Sequence, residues 1–383
     1  MKIVYIYPAL STIGGADRVI VDKANYFAEK CGYEVYIVTA HQNGQNSFFS
    51  LSGKVNHIDL NVNFNEQYNH NFFARGFIYL MLISRYRKRL SKLLHELKAD
   101  FTITTISRDI DFIHTIKDGS IKIAEAHSPK HYLRNLHRLQ FKNWMYQISG
   151  KIFTRKLEKA AKKFAAFVVL TQNDADCWKD IRPCTVIPNS LPFFPEKASN
   201  CQNKLIITVG RLYPEKGYER LIEAWAMVSP KHPDWKVRVY GVGILKDPLN
   251  KLIRKKGVVD TFFLEGATKN ISEKYLESSF YIMGSIFEGF GMVLIEAMAC
   301  GLPVIAFDCP VGPATIIKNQ EDGFLVKNGD IEQFAQKICY LIENDEARIQ
   351  MGEKARANVQ RFNRELIMQK WIDLFQSLKE SKN

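Results

Sequence analysis

Short runs of β-branched and aromatic residues alternate with helical patterns along the whole chain, and no other feature restricts the fold as strongly. In the first half the runs are residues 3–7, 35–39, 101–105, 121–125 and 167–170. In the second half they are 205–209, 236–240, 261–264, 280–283 and 304–307. Most are apolar throughout, as strands buried on both faces must be. Strand–helix–strand alternation of this kind predicts an α/β fold with parallel sheets. At 383 residues the chain exceeds one typical core and predicts two domains. Pro188, Pro192 and Pro195 lie among Asn and Ser in residues 188–203, which predicts a linker and a boundary near residue 190. Residues 363–378 form an amphipathic tail containing Trp371 and Phe375.

A hydrophobic share of 46% with 24% charged residues is that of a soluble globular protein. The opening run KIVYIYP begins a strand and lacks the long apolar region and cleavage site of a signal peptide. The central apolar run at 77–83 is far below the roughly 20 residues of a spanning helix. Seven cysteines, odd in number and without C-x-x-C pairs, suit a reducing cytosol and argue against disulfides or structural zinc. The net charge of +13 points to a polyanionic partner.

Positive charge concentrates in two helical stretches. One holds Arg85, Arg87, Lys88, Arg89, Lys92 and Lys98. The other runs from Lys130 to Lys163, with its cations interleaved with Tyr132, Leu133, Phe141, Trp144, Ile152 and Phe153. An anionic membrane surface, a nucleic acid and a merely solvated pair of helices are the three readings of this pattern.

The segment 285–303, SIFEGFGMVLIEAMACGLP, follows an apolar strand with a loop carrying Glu288, a Gly-Phe-Gly turn and a short helix bearing Glu296. Eight steps of about 100° return the second carboxylate to within about 80° of the first, so both can face one side. Backbone N–H groups of Phe290, Gly291 and Met292 at the helix start add an anion site. Acceptors for sugar hydroxyls beside donors for phosphate describe a nucleotide-sugar site. With S-x-x-E-G-F-G before and E-A-M-A-C-G-L-P-V after, the segment resembles the donor signature of the retaining family 4 glycosyltransferases of glycosyltransferase group 1. The resemblance is strong over residues 204–326 and thin over 1–190.

Further motifs agree. Gly210-Arg211 ends a strand and Lys216-Gly217 opens the next helix, similar to the family's G-R-x-x-x-x-K-G element. Fixed cations there stabilise the charge that develops on a departing diphosphate. Gly14-Gly15 after the first strand resembles the family's glycine loop, although a tight turn explains it equally well. His127, at the end of residues 121–125, stands where the family has a histidine near the donor sugar. A structural role for it, or Glu125 as the partner in its place, is the other reading. Gly266 falls where the family's backbone meets the base. Asp308 through Pro313 resembles a variant found with UDP-hexose or UDP-N-acetylhexosamine donors, but Ala314-Thr315 replaces the usual Ser-Glu. The D-x-D strings at 109–111 and 174–176 read as capping and solvated groups rather than metal ligands.

The resemblance implies a GT-B fold, α/β, with two Rossmann-like parallel-sheet domains facing a central cleft. Residues 1–190 would form the acceptor-side domain and 191–362 the nucleotide-sugar domain, with 363–383 a helix crossing back to the first. It implies a metal-independent, retaining hexosyltransferase without a cofactor. Glu288 and His127 would be catalytic. Gly15, Arg211, Lys216, Gly266, Phe290, Gly291, Met292 and Glu296 would bind the donor, with Glu288 on the sugar and Glu296 on the ribose. The expected partners are a nucleotide-sugar donor, UDP-linked, a glycan or lipid-linked acceptor of cell-surface polysaccharide synthesis and an anionic membrane surface, but no nucleic acid. The expected place is the cytoplasm, peripheral to the inner face of the membrane. The alternatives are a GT-B sugar-nucleotide epimerase and a non-catalytic glycan-binding or scaffold protein.

Overall fold

The computed structural model describes residues 1–11, 14–135, 144–181 and 183–382. The chain divides into two compact units, Met1–Pro188 with Ile367–Asn383, and Asn189–Leu366.

The first unit is built on seven parallel strands: β1 (Lys2–Tyr7), β2 (Glu34–Thr39), β3 (Val55–Asp59), β4 (Phe101–Thr104), β5 (Ile121–Glu125), β6 (Ala166–Val169) and β7 (Cys184–Val186). Their order is β3-β2-β1-β4-β5-β6-β7, so the winding reverses between β1 and β4. Ile3 stands level with Val35 on one side and Phe101 on the other. Helices Phe72–Leu97 and Trp144–Ala161 cover one face, where Leu82, Leu90, Leu94 and Leu157 are buried. Helix Gly15–Glu29 and the last helix, Arg364–Glu380, cover the other. Phe375 of the last helix lies 4.6 Å from Phe101 and 5.6 Å from Phe27, centroid to centroid. Burial of one such side chain stabilises by about 1.5–3 kcal/mol.

The second unit repeats the plan with six parallel strands: β8 (Leu205–Val209), β9 (Lys236–Tyr240), β10 (Phe262–Gly266), β11 (Phe280–Met283), β12 (Val304–Asp308) and β13 (Gly323–Lys327). The order β10-β9-β8-β11-β12-β13 reverses between β8 and β11. Its core joins Leu221, Trp225 and Val228 of helix Tyr218–Val228 to Phe334, Ile338 and Leu341 of helix Ile331–Glu343.

Three strands depart from the expected set. β3, β7 and β13 are all sheet edges and were not anticipated. The proline-rich segment expected as a linker is fastened to the second unit. Arg356 donates to the carbonyl of Pro195 and Arg364 to that of Pro192. Among the described residues no cysteine forms a disulfide. Among the described residues no helix is long and apolar enough to cross a membrane.

Candidate functional site

In open parallel sheets ligands bind beyond the C-terminal strand ends where the winding reverses. In the second unit that point lies between β8 and β11, and the predicted residues of the loops after those two strands lie there, whereas Gly266 ends β10 at the sheet edge. Gly210 and Arg211 follow β8, and Glu288 follows β11. The two loops approach so closely that neither tolerates a side chain at the contact. A Cβ on Gly217 would lie 2.1 Å from the carbonyl oxygen of Gly284, and one on Gly284 would lie 2.5 Å from that of Gly217. Gly217 also has φ of +59°, a left-handed conformation that costs glycine little. The Ile286 N–H donates to the Glu215 carbonyl at 2.9 Å and locks the register.

This contact carries Lys216 to Glu288. Lys216 Nζ donates to Glu288 Oε1 at 2.5 Å, and Ser285 Oγ donates to the same oxygen at 2.8 Å. Both members of the ion pair keep some access to solvent, with side chains 21% and 12% exposed. Glu288 is held from its other side by a bridge to Val311. A Cβ on Gly312 would lie 2.5 Å from the Phe290 carbonyl oxygen, so this glycine lets the loop after β12 press on the Glu288 loop.

Helix Met292–Ala299 begins four residues beyond Glu288, with Gly291 at its N-cap in the left-handed region, φ +103°. The first N–H groups of any helix lack intrahelical partners, and its N-terminal dipole favours an anion. Glu296, one turn into this helix, is buried and accepts from the Tyr275 hydroxyl at 3.2 Å. Burial, with the Glu296 charge second, holds the Tyr275 hydroxyl well above its ordinary pKa, so it stays a donor. Arg211 is the most open member, 54% exposed, ion-paired to Glu215 at 3.2 Å and lying over the Tyr213 ring. Gly266 ends β10 with φ +85°, and its carbonyl accepts from Gly241 N–H at 2.8 Å. Cys309 nearby is no nucleophile, because burial and then the Glu288 charge push its thiol up to about 12.

Within the first unit, Gly15 opens helix Gly15–Glu29 behind Gly14. Asp17, two residues on, is buried and accepts from the Tyr7 hydroxyl at 2.5 Å. His127 is almost buried, and neither ring nitrogen has a hydrogen-bond partner. Its Nε2 lies 3.4 Å from Glu125 Oε1.

Glu125 itself is not available to a ligand. It is 1% exposed and both its oxygens are held by the buried Lys23 ammonium, with Oε2 at 2.5 Å. Burial alone would raise its pKa, but the charges of Lys23 and His127 prevail and hold it at about 2. The reading of Glu125 as the active-site partner is therefore corrected. The reading of the D-x-D strings as solvated fails for Asp109 and Asp174, which are buried, and holds for Asp176, which is exposed. Asp174 accepts from the Lys130 N–H, and Thr171 caps the helix that carries it. Sequence reasoning passed over Ser285, Tyr275, Gly284 and Gly312 as site-shaping residues. Ser285 lay in the motif, three residues before Glu288, but its partner did not.

Residues 192–358 match the family of glycosyl transferases group 1. Over 97% of this chain and 98% of its own length, an uncharacterized glycosyltransferase of Haemophilus influenzae is 27% identical. An amylovoran biosynthesis glycosyltransferase of Erwinia amylovora is 35% identical over 54% of this chain and 61% of its own length. The chain therefore spans less than two thirds of that second relative. In fold, the chain is similar to S. aureus TarM, solved with fondaparinux, alpha-GlcNAc-glycerol and UDP. The TM-score is 0.79 at 19% identity, covering 98% of this chain and 99% of TarM. The fold is that of the GT-B glycosyltransferases. The family match is confined to residues 192–358, and the Haemophilus and Erwinia relatives are both glycosyltransferases.

Proposed function

We propose that the protein is a retaining family 4 glycosyltransferase that moves a hexose or N-acetylhexosamine from a UDP-sugar to a glycan or lipid-linked acceptor in cell-surface polysaccharide synthesis. The observation that carries this reading is the Lys216–Glu288 pair, solvent-accessible at the winding reversal and beside the start of helix Met292–Ala299. Lys216, Arg211 and the helix N–H groups at Phe290–Met292 would hold the diphosphate. As the anomeric carbon–oxygen bond breaks, its electron pair passes to the diphosphate, and fixed cations lower the cost of that charge. The acceptor hydroxyl oxygen bonds to the same carbon, and its proton passes to the departing phosphate oxygen, so no side-chain base is required. Glu288 would accept from donor-sugar hydroxyls and Glu296 from the ribose. Gly266 would face the base, and Gly15 and His127 are proposed donor contacts. The relatives' names, amylovoran biosynthesis among them, are consistent with a polysaccharide setting, and the UDP in the TarM complex is consistent with a UDP-linked donor.

We place the enzyme at an anionic membrane surface. Helices Phe72–Leu97 and Trp144–Ala161 lie on one face of the first sheet. They expose Phe77, Leu80, Ile152 and Phe153 among exposed Arg85, Lys88, Lys151, Arg155 and Lys159. Residues 136–143 of the basic stretch, including Arg138, Phe141 and Lys142, lie outside the described residues. Each cation near an anionic leaflet contributes about 1 kcal/mol. Pelleting with anionic but not neutral liposomes, reversed by salt, is the expected result, and no pelleting at low salt defeats the placement.

For the transferase itself, a panel of UDP-sugars with lipid-linked and soluble glycan acceptors should yield free UDP and a new glycoside of unchanged anomeric configuration. Release of UDP with only free, isomerised sugar identifies an epimerase. Failure of every nucleotide sugar to bind identifies a non-catalytic protein.

A further inference from the structure

On the second unit, helix Ile331–Glu343 presents Cys339 and Glu343 one turn apart, and the turn after helix Tyr218–Val228 presents His232. One ligand atom from each lies within 4.8 Å of the others, the only such group of His, Cys, Asp and Glu side chains among the described residues. We propose that His232, Cys339 and Glu343 form a zinc-type divalent-cation site.

Three observations support it. His232 is anchored rather than free. Its N–H donates to the Val228 carbonyl at 3.2 Å and its own carbonyl accepts from Trp235 N–H at 3.1 Å. Its Nε2 already lies 3.1 Å from Glu343 Oε1, with the imidazole 16% exposed and the carboxylate 55%. The two helices share one core, through Trp225, Val228, Ile338 and Leu341, so the distance between the ligand-bearing backbones is set by packing.

Zinc binds thiolate at about 2.3 Å, imidazole at about 2.0–2.1 Å and carboxylate at about 2.0–2.2 Å. Tetrahedral geometry then separates ligand atoms by roughly 3.3–3.8 Å, which side-chain rotation within the observed envelope supplies. A soft thiolate with an imidazole selects zinc over magnesium or calcium, which prefer oxygen. Three protein ligands leave one position for water, and Cys339 and Glu343 line a groove of about 580 Å³ together with Met227, Lys231, Glu332 and Tyr340.

The site lies away from the donor loops. Helix Ile331–Glu343 leaves the C-terminal end of β13 and runs back along the sheet, so Cys339 and Glu343 reach its N-terminal edge. His232 shortly precedes β9 at that same edge. A bound ion would tie the end of one helix to the turn after another and stiffen the unit without touching the nucleotide.

The test uses the untagged full chain, stripped with chelator and titrated with Co²⁺ and then Zn²⁺. One equivalent should bind with a thiolate-to-cobalt charge-transfer band, and Zn²⁺ should displace it and raise the unfolding midpoint. Cys339→Ser should abolish the band and the midpoint shift. His232→Ala should weaken zinc by at least about tenfold. Cys177→Ser should leave both unchanged, and nucleoside-diphosphate binding should be the same in all variants. A wild-type chain without the band overturns the proposal, as does a band that survives Cys339→Ser. If both ligand variants were unfolded by circular dichroism, Glu343→Gln, on an exposed carboxylate, would decide. Unchanged zinc affinity in that variant also counts against the site.

Discussion

Each unit places a Lys–Glu ion pair near the C-terminal ends of its central strands, and the two pairs have opposite surroundings. Lys216 and Glu288 remain open to solvent, share Ser285, and stand beside a helix N-terminus. Lys23 and Glu125 are sealed: both are almost wholly buried, and the Lys23 ammonium lies 4.4 Å from the centre of the Trp371 ring of the last helix. Residue type alone therefore does not make a site. An open pair can exchange its partner for a phosphate or a hydroxyl, whereas a sealed pair has already lost its water and can only hold the fold together. Burial also lowers the Lys23 pKa, with Glu125 opposing, while its partner is held at about 2.

Substitutions test the contrast between the two pairs. The largest expected effect is on the sealed pair. Lys23→Ala leaves a buried carboxylate without its cation and should cost about 3–5 kcal/mol of stability. Lys23→Met with Glu125→Gln should recover much of that, and nucleoside-diphosphate affinity should not change in the double variant. Urea unfolding and calorimetry read the two quantities. A sealed-pair variant that keeps its stability removes the distinction between the pairs.

Next in size is Glu288→Gln. Loss of one charge-stabilising contact to the reacting sugar should lower turnover by about 10²–10³, with the unfolding midpoint preserved. Turnover within a few-fold of wild type rules out the sugar-contact role. Smaller again are Arg211→Ala and Lys216→Ala. Charge-assisted hydrogen bonds are worth roughly 1.5–3 kcal/mol, so each should weaken nucleoside-diphosphate binding about tenfold or more. Equal affinity in both variants would remove the diphosphate assignment.

Acidification separates the pairs more gently. Glu125 has a folded pKa near 2 against an ordinary 4.5. A depressed carboxylate contributes stability above its unfolded value and loses it as pH falls through the folded one. Unfolding free energy should therefore drop between about pH 4.5 and 2, and the Lys23→Met, Glu125→Gln double variant should show a flatter profile. Smallest of all is the effect of chelation. With Arg211 and Lys216 proposed to serve the diphosphate, transfer should persist in EDTA. Activity lost to chelator and restored by manganese would point instead to the two D-x-D strings, Asp109 with Asp111 and Asp174 with Asp176.

Legibility from sequence followed burial. The central strands stood out because apolar neighbours on both sides demand continuous apolar runs. The edges did not. β3 reads VNHID with most of its residues exposed or half-exposed, β7 has only three residues, and β13 opens with Gly323. An edge strand buries one flank, so its composition is free to look like a loop. In the site, Glu288, Lys216 and Arg211 were named from local motifs because each motif spans one loop. Glu125 was misjudged because Lys23, which seals it, comes from another element far along the chain.

By itself the sequence determined the alternation of strand and helix, the two parallel sheets and the chemical types assembled at each strand end. These rest on local periodicity and on glycine and proline chemistry, which act over a few residues. Only the tertiary structure decided which carboxylate keeps access to water and which is sealed. It also decided that Gly217 and Gly284 touch, bringing Lys216 to Glu288, and that His232 meets Cys339 and Glu343. Electrostatic and steric interactions depend on distance in space. Parallel strands join segments remote in sequence, so no local pattern encodes those meetings.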